Sequence, residues 1–319
     1  MTGTAKVLAI SGGVGGAKLA LGLANELEPE ALAVLVNTAD DFRHLGLQIC
    51  PDIDTLLYTL SGRSNRSLGW GLEGESWQVM KALEELGGET WFRLGDNDLA
   101  THLWRTARLA AGESLSSVTR GLAQRMGVKV GILPMSDDSV STVVHSDEGD
   151  LAFQHYFVRR QCEPQVSGFS FRGIEQASPS SELLQLLDSG QVAAVVICPS
   201  NPFVSVDPVL QLPGLWQKIA ALQVPVVAVS PILAGQAVKG PAAKMLGELG
   251  QEVSAEAVMR HYSTHYPGFI DTFVIDQSDA ALADQVADLG VSVAVTDTLM
   301  KSLDDKRRLA RFVLSRAGH

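Results

Sequence analysis

The chain has 319 residues, 46% hydrophobic and 19% charged, with a formal net charge of −11. That length buries a large core and suits one α/β domain with an added subdomain, while the acidic balance argues against nucleic acid, whose phosphates need a basic face. Three cysteines, Cys50, Cys162 and Cys198, without C-x-x-C spacing argue against a disulfide framework or structural zinc, and no apolar run reaches the roughly 20 residues that span a bilayer. Residues 1–6 lead straight into an apolar run too short for a signal segment, so a cytoplasmic location is expected.

The first strand, Val7-Leu8-Ala9-Ile10, ends in Ser11-Gly12-Gly13-Val14-Gly15-Gly16-Ala17-Lys18 and passes into a helix. A strand that turns into a helix through glycine aims free amides and the positive end of the helix dipole at one point, which attracts phosphate. Each glycine is expected to take positive φ and admit a ligand close to the backbone. Gly12, Gly13, Gly15, Gly16 and Lys18 are therefore candidate substrate-binding residues. The spacing misses the dinucleotide fingerprint, which needs glycine at Lys18, and misses the P-loop, which needs Gly-Lys-Ser/Thr where the chain has Ala17-Lys18-Leu19. A tight turn with no ligand is the alternative.

Leu19, Leu23 and Leu27 predict an amphipathic helix over 18–27, and Ala31-Leu32-Ala33-Val34-Leu35-Val36 predicts a strand covered on both faces. Ligands collect at the carboxyl ends of such strands, which brings Asn37-Thr38-Ala39-Asp40-Asp41 beside the glycines. Cys50-Pro51-Asp52-Ile53-Asp54-Thr55 follows shortly. Carboxylates at 40, 41, 52 and 54 would repel a phosphate unless a divalent cation lies between them, and hard oxygen ligands suit Mg2+. Alternatively Asp40 sits in a turn and Asp52 or Asp54 caps a helix over 55–60.

Residues 61–67, with Arg63 and Arg66, read as a polar loop. Trp70, Trp77 and Trp91 offer stacking walls for a flat ligand, or ordinary core. Arg93-Leu94-Gly95-Asp96-Asn97-Asp98 is a second acidic turn, entering a helix with His102, Arg105 and Arg108; His102 there reads as a surface or packing residue. Gly131-Ile132-Leu133-Pro134 is another strand, running into Met135-Ser136-Asp137-Asp138. Alternation between 141 and 170, including Phe153-Gln154-His155-Tyr156-Phe157-Val158, predicts antiparallel strands. Strands follow at 192–198, ending in Pro199-Ser200-Asn201-Pro202, and at 224–229, 273–276 and 291–295, with a helix opening at Lys239-Gly240-Pro241-Ala242-Ala243-Lys244. The expected architecture is a single α/β domain over 1–319, with a Rossmann-like, doubly wound, mostly parallel sheet and a smaller inserted subdomain near 141–190. Ser200, Asn201 and Lys244 join the candidate substrate-binding residues.

The ordered set of the glycine turn, Asn37-Thr38-Ala39-Asp40-Asp41, Cys50-Pro51-Asp52-Ile53-Asp54-Thr55, Leu94-Gly95-Asp96-Asn97-Asp98, Leu133-Pro134-Met135-Ser136-Asp137-Asp138, Pro199-Ser200-Asn201-Pro202 and Asp297-Thr298-Leu299-Met300 resembles the CofD family, the 2-phospho-L-lactate transferases of coenzyme F-420 biosynthesis. The resemblance implies transfer of a phospho-acid moiety (2-phospho-L-lactate, phosphoenolpyruvate or 3-phosphoglycerate) from a guanosine diphospho donor to the deazaflavin Fo, 7,8-didemethyl-8-hydroxy-5-deazariboflavin, with release of GMP. It implies Mg2+ on Asp40 and Asp52, which are also the catalytic candidates, and Asp54 and Arg93 as contacts to Fo. A homodimer is expected for an acidic α/β enzyme of this size. The alternative is a nucleotide-sugar-binding regulator of the gluconeogenesis-factor type, whose usual Asp-Asp-Gly-Gly is replaced here by Asp40-Asp41-Phe42-Arg43.

Overall fold

The computed structural model describes residues 5–65, 67–237 and 240–318; Arg66 and Lys239, both read above, lie outside them. Seven strands form the central sheet: β1 (Lys6–Ser11), β2 (Leu32–Val36), β3 (Gly131–Pro134), β4 (Val192–Ile197), β5 (Val226–Val229), β6 (Thr272–Asp276) and β7 (Ser292–Thr296). Their order across the sheet is β7-β6-β5-β4-β1-β2-β3, every pairing parallel. The doubly wound α/β architecture expected from the sequence is the one observed.

The near-continuous apolar strands have the composition of a sheet buried on both sides, because neighbouring residues face opposite layers. Val7 and Ala9 pack with Leu19, Leu23, Ile53 and Val313 on one face, whereas Leu8 and Ile10 pack with Leu183, Val209, Met245 and Tyr262 on the other. The antiparallel region is a three-stranded sheet in which Ser141–Ser146 lies between Gly149–Ala152 and Val166–Arg172. Its Val144 and Val166 belong to the same apolar cluster as Leu8 and Ile10, so it is fastened to the parallel sheet through a shared core. The strand expected over 153–158 is instead helical at 153–154 and a π turn at His155–Arg159. Phe153 and Tyr156 are both buried and Phe153 stacks on Phe157 at 5.5 Å, a contact four residues apart that helical winding provides.

Helix α1 (Gly13–Ala24) starts five residues earlier than the periodicity suggests, directly on the glycines. It packs against helices α2 (Pro51–Leu60) and α4 (Leu303–Arg316), the label α3 being given to the helix Asp96–Ala110 between them in sequence. At Gly22 a Cβ would stand 2.2 Å from the Lys306 carbonyl oxygen, so α1 and α4 touch backbone to backbone there. Arg307 Nε donates to Glu26 Oε1 at 2.6 Å across the same junction. Among the described residues no helix is long and apolar enough to cross a membrane.

Candidate active site

Strand β1 is the topological switch point: the chain steps outward from it to β2 and β3, then returns to its other side for β4. Ligands of open α/β sheets lie outside the carboxyl ends of the strands at such a point. Parallel registry aligns Ser11 with Val36, and Ile10 with Ile197. The chain ends leaving these strands are tied to one another, the Asn37 amide donating to the Ser11 carbonyl at 3.2 Å and the Cys198 amide to Ile10 at 2.9 Å. Gly12 and Gly13, residues 37–41 and residues 199–201 therefore rim one crevice.

The glycines do different jobs within it. Of Gly12, Gly13, Gly15 and Gly16, only Gly13 has positive φ, at +64°, and the space where its Cβ would stand is open. The other three correct the expectation that all serve positive φ: they are close-packing positions. A Cβ on Gly12 would lie 2.5 Å from Ser205 Cβ, on Gly15 2.3 Å from the Pro199 carbonyl oxygen, and on Gly16 2.5 Å from Ser11 Oγ. Gly15→Ala is accordingly expected to cost about 1–3 kcal/mol, because the obstructing atom is backbone and α1 must shift, whereas Gly13→Ala pays only for its φ, roughly 1–2 kcal/mol. Urea denaturation of both variants measures the difference. Lys18 lies on the second turn of α1, half-buried.

Two loop amides already have protein partners. Gly12 N–H donates to Ser200 Oγ at 3.1 Å, and Gly13 N–H to Asp52 Oδ1 at 2.7 Å. Asp52 thus caps α1 from another helix. Helix α2 starts at Pro51, whose fixed φ suits a first helical position, so Asp52 and Asp54 lie inside its first turn rather than ahead of it. Positions two apart on a helix point to opposite sides. Asp52 faces the glycines, with its Oδ2 accepting from Asn37 Nδ2 at 3.0 Å; Asp54 faces away, toward α3.

The hairpin Phe42–His44 with Leu47–Ile49, closed by Leu45 and Gly46 both at positive φ, folds Asp40 and Asp41 back against these two. The carboxylates differ in their surroundings. Burial, and then the Asp52 charge, push Asp40 well above the usual carboxylate range; burial raises Asp52 to about 6 against the hydrogen bonds from Asn37 and Gly13. Asp40 Oδ1 is enclosed with no hydrogen-bond partner. Desolvation likewise raises Asp41 well above the usual range, opposed first by a hydrogen bond with Cys50 and then by the Arg105 charge, and its Oδ1 too has no hydrogen-bond partner. Arg105 is fully buried and grips Asp54 with both terminal nitrogens, Nη1 reaching Oδ2 at 3.1 Å. His102, buried rather than on the surface, lies 3.7 Å from Asp54 and 3.3 Å from Asp98, which accepts a 2.5 Å bond from Tyr58 Oη. The sequence reading missed Arg105 as a partner. The stripe Asp98-His102-Arg105, spaced four and three apart on the inward face of α3, was the available signal.

Two enclosed carboxylates with an orphaned oxygen suit a hard divalent cation. Among the described residues no set of three or more His, Cys, Asp or Glu side chains is arranged to surround a metal, so Asp40 and Asp52 would supply two ligands, in keeping with Mg2+, which keeps water and phosphate in its shell.

The remaining candidates are more dispersed. Asn201 Oδ1 caps the turn that follows, accepting from Phe203 N at 3.0 Å. Lys244, on a helix that begins at Ala242, donates to the Pro164 carbonyl at 3.0 Å and pairs with Glu248, next to the antiparallel sheet. Arg93 is exposed, its guanidinium 4.5 Å from the Trp77 ring, which meets Trp70 edge-on at 6.0 Å. Trp91 is in a different cluster, with His44 at 4.9 Å and His155 at 4.8 Å, so the tryptophans do not form one wall. A cavity of about 420 Å³ opens beside Asp41, Phe42, Gln48 and Ser141. A second, of about 810 Å³, lies against the antiparallel sheet, lined by Phe169, Phe203, Asp207 and His261.

The family described as "2-phospho-L-lactate transferase CofD" matches residues 7–308. A protein named phosphoenolpyruvate transferase from Streptomyces griseus subsp. griseus is 38% identical over 317 residues, covering 98% of each chain. One named 2-phospho-L-lactate transferase from Methanococcoides burtonii is 39% identical over 309 residues, covering 97% of this chain and 98% of that one. The crystal structure of a UPF0052 family member from Bacillus halodurans superposes with a TM-score of 0.62 over 98% of this chain and 99% of that one, at 16% identity, a likeness of fold.

Proposed function

We propose, from the premise that this chain belongs to the CofD family, that it is a transferase moving a phospho-acid moiety from a guanosine diphospho donor to the ribityl hydroxyl of Fo, with release of GMP. The moiety is 2-phospho-L-lactate, phosphoenolpyruvate or 3-phosphoglycerate, since relatives of nearly equal identity carry the first two in their names. The observation that supports the reading best is the uncompensated Asp40–Asp52 pair set against the N-terminus of α1. Anionic groups packed beside an anion-binding helix end are consistent with a diphosphate that arrives together with a cation.

In this reading the hydroxyl oxygen of Fo bonds to the phosphorus bearing the acid, and the bond from that phosphorus to the GMP oxygen breaks. Mg2+ held by Asp40 and Asp52 supplies charge neutralisation on the diphosphate when bound. The open face at Gly13 and the first-turn amides of α1 receive the phosphate oxygens, while Asn37 and Gly13 hold Asp52 in one orientation. A nearby aspartate, Asp40 or Asp52, is assigned the proton that the hydroxyl loses. The acceptor side is assigned to the segment from Asp54 to Arg93, where the Arg93–Trp77 pair offers a flat cationic surface and the cavity beside Asp41 offers room. Mass spectrometry of the product formed from Fo with each of the three activated donors is the test; no adduct from any of them removes the reading.

Cation binding has a separate signature in stability. Because Asp52 is raised to about 6 when folded, the folded chain holds a proton that the unfolded chain gives up at lower pH. The stability from this group is therefore lost as pH climbs from about 4 through 6. Mg2+ requires the ionised pair. Saturating Mg2+ is expected to raise Tm by about 5 °C at pH 7.5, from roughly 2 kcal/mol of linkage, and to have almost no effect at pH 4.5. Differential scanning calorimetry at the two pH values checks it.

A further inference from the structure

Arg105 is the one lysine or arginine that is buried among the described residues. Placing a guanidinium there costs several kcal/mol unless it is paired; its two terminal nitrogens find partners, while Nε has none. Nη1 donates to Asp54 Oδ2 at 3.1 Å and to the Gln48 carbonyl at 3.3 Å, and Nη2 to Asp54 Oδ1. Nη1 also lies 3.1 Å from His102 Nδ1. His102 lies against the pair from the same helix, its Nδ1 3.7 Å from Asp54 Oδ2 and its Nε2 3.3 Å from Asp98 Oδ1. The ion pair is thereby backed from α3 and fixed in place. No cationic side chain pairs with Asp40 or Asp52 among the described residues: Asp52 accepts from the Gly13 amide and Asn37, and Asp40 Oδ1, like Asp41 Oδ1, has no hydrogen-bond partner.

We propose that Arg105 is a built-in counter-cation for Asp54, standing where a second divalent ion would otherwise be required beside that carboxylate, so that the turn takes one metal ion, at Asp40 and Asp52. The inference rests on the reading of that pair as a cation site. Helix α2 enforces the division, since it hands Asp52 to the crevice and Asp54 to Arg105 from positions that face opposite ways. Arginine suits the post: it stays charged at any working pH and its fork matches a carboxylate.

The test is a titration of the full chain with Mn2+, reading free ion by electron paramagnetic resonance without substrates. Wild type and Arg105→Lys are expected to bind one equivalent. Arg105→Ala, which leaves a hydrated-ion-sized space beside Asp54, is expected to be unstable without metal and to regain its fold on binding two equivalents, the first with a Kd within about threefold of wild type. Two equivalents in wild type overturn the proposal, as does an Arg105→Ala chain that folds with one, or that stays unfolded at saturating Mn2+. Asp52→Asn tests the underlying reading separately: loss of the wild-type equivalent supports it, and retention overturns the Asp40–Asp52 assignment whatever Arg105 does.

Discussion

Asp52→Asn is expected to lower kcat by about 10²–10³-fold, the cost of losing one principal electrostatic contact to the developing charge, with the fold intact. The asparagine keeps an oxygen for the Gly13 amide, and Asn37 Nδ2 retains the Val204 carbonyl at 3.2 Å. What disappears is the negative charge facing Asp40, so the repulsion that raises Asp40 is relieved. The two changes offset, and Tm is expected to stay within about 3 °C, equivalent to roughly 1 kcal/mol. Steady-state kinetics beside calorimetry separates the outcomes: near-normal kcat would remove Asp52 from the chemistry, and a collapsed Tm would make it a structural cap for α1.

Asp54→Ala should act in the opposite way, on stability first. Removing one member of a buried ion pair leaves the other charged and undersolvated, typically about 3–5 kcal/mol, or a drop near 10 °C for a chain of this size. Asp54→Ala combined with Arg105→Met should recover most of that loss, because replacing both partners with apolar groups is often neutral. Arg93→Ala, at an exposed site, should leave Tm unchanged and raise the Michaelis constant for Fo. An Asp54→Ala chain with wild-type Tm and a raised Michaelis constant would instead make Asp54 a direct acceptor contact and the Arg105 pairing incidental.

The parallel sheet was legible because doubly buried strands are written as unbroken apolar runs, and the glycine turn because a strand-to-helix transition concentrates glycine. Their adjacency to residues 37–41 and 199–201 followed from the rule for strand ends. Less was visible wherever a residue's meaning depends on its partner. The four glycines look alike in sequence, yet one is chosen for its φ and three for the atoms opposite, Ser205, Pro199 and Ser11, which only the fold brings near. Asp52 and Asp54 seemed one cluster because the helix was expected to begin at Thr55; its true start at Pro51 turns them apart. Phe153 to Val158 alternates well enough for a strand, and only the burial of Phe153 and Tyr156 shows which period prevails.

The backbone contact between Gly22 and Lys306 bears on how the protein is made. Glu26 and Arg307 on the two sides of that junction are separated by 281 positions, and β4, which flanks β1, is also distant in the chain. During synthesis α1 therefore emerges long before α4 and β4, with Leu19 and Leu23 uncovered. Loop closure over such spans is slow, and exposed apolar surface in the interval invites aggregation. The nascent chain therefore carries the glycine turn and its helix long before α4 is available to cover the far end of that helix at Gly22 and Glu26.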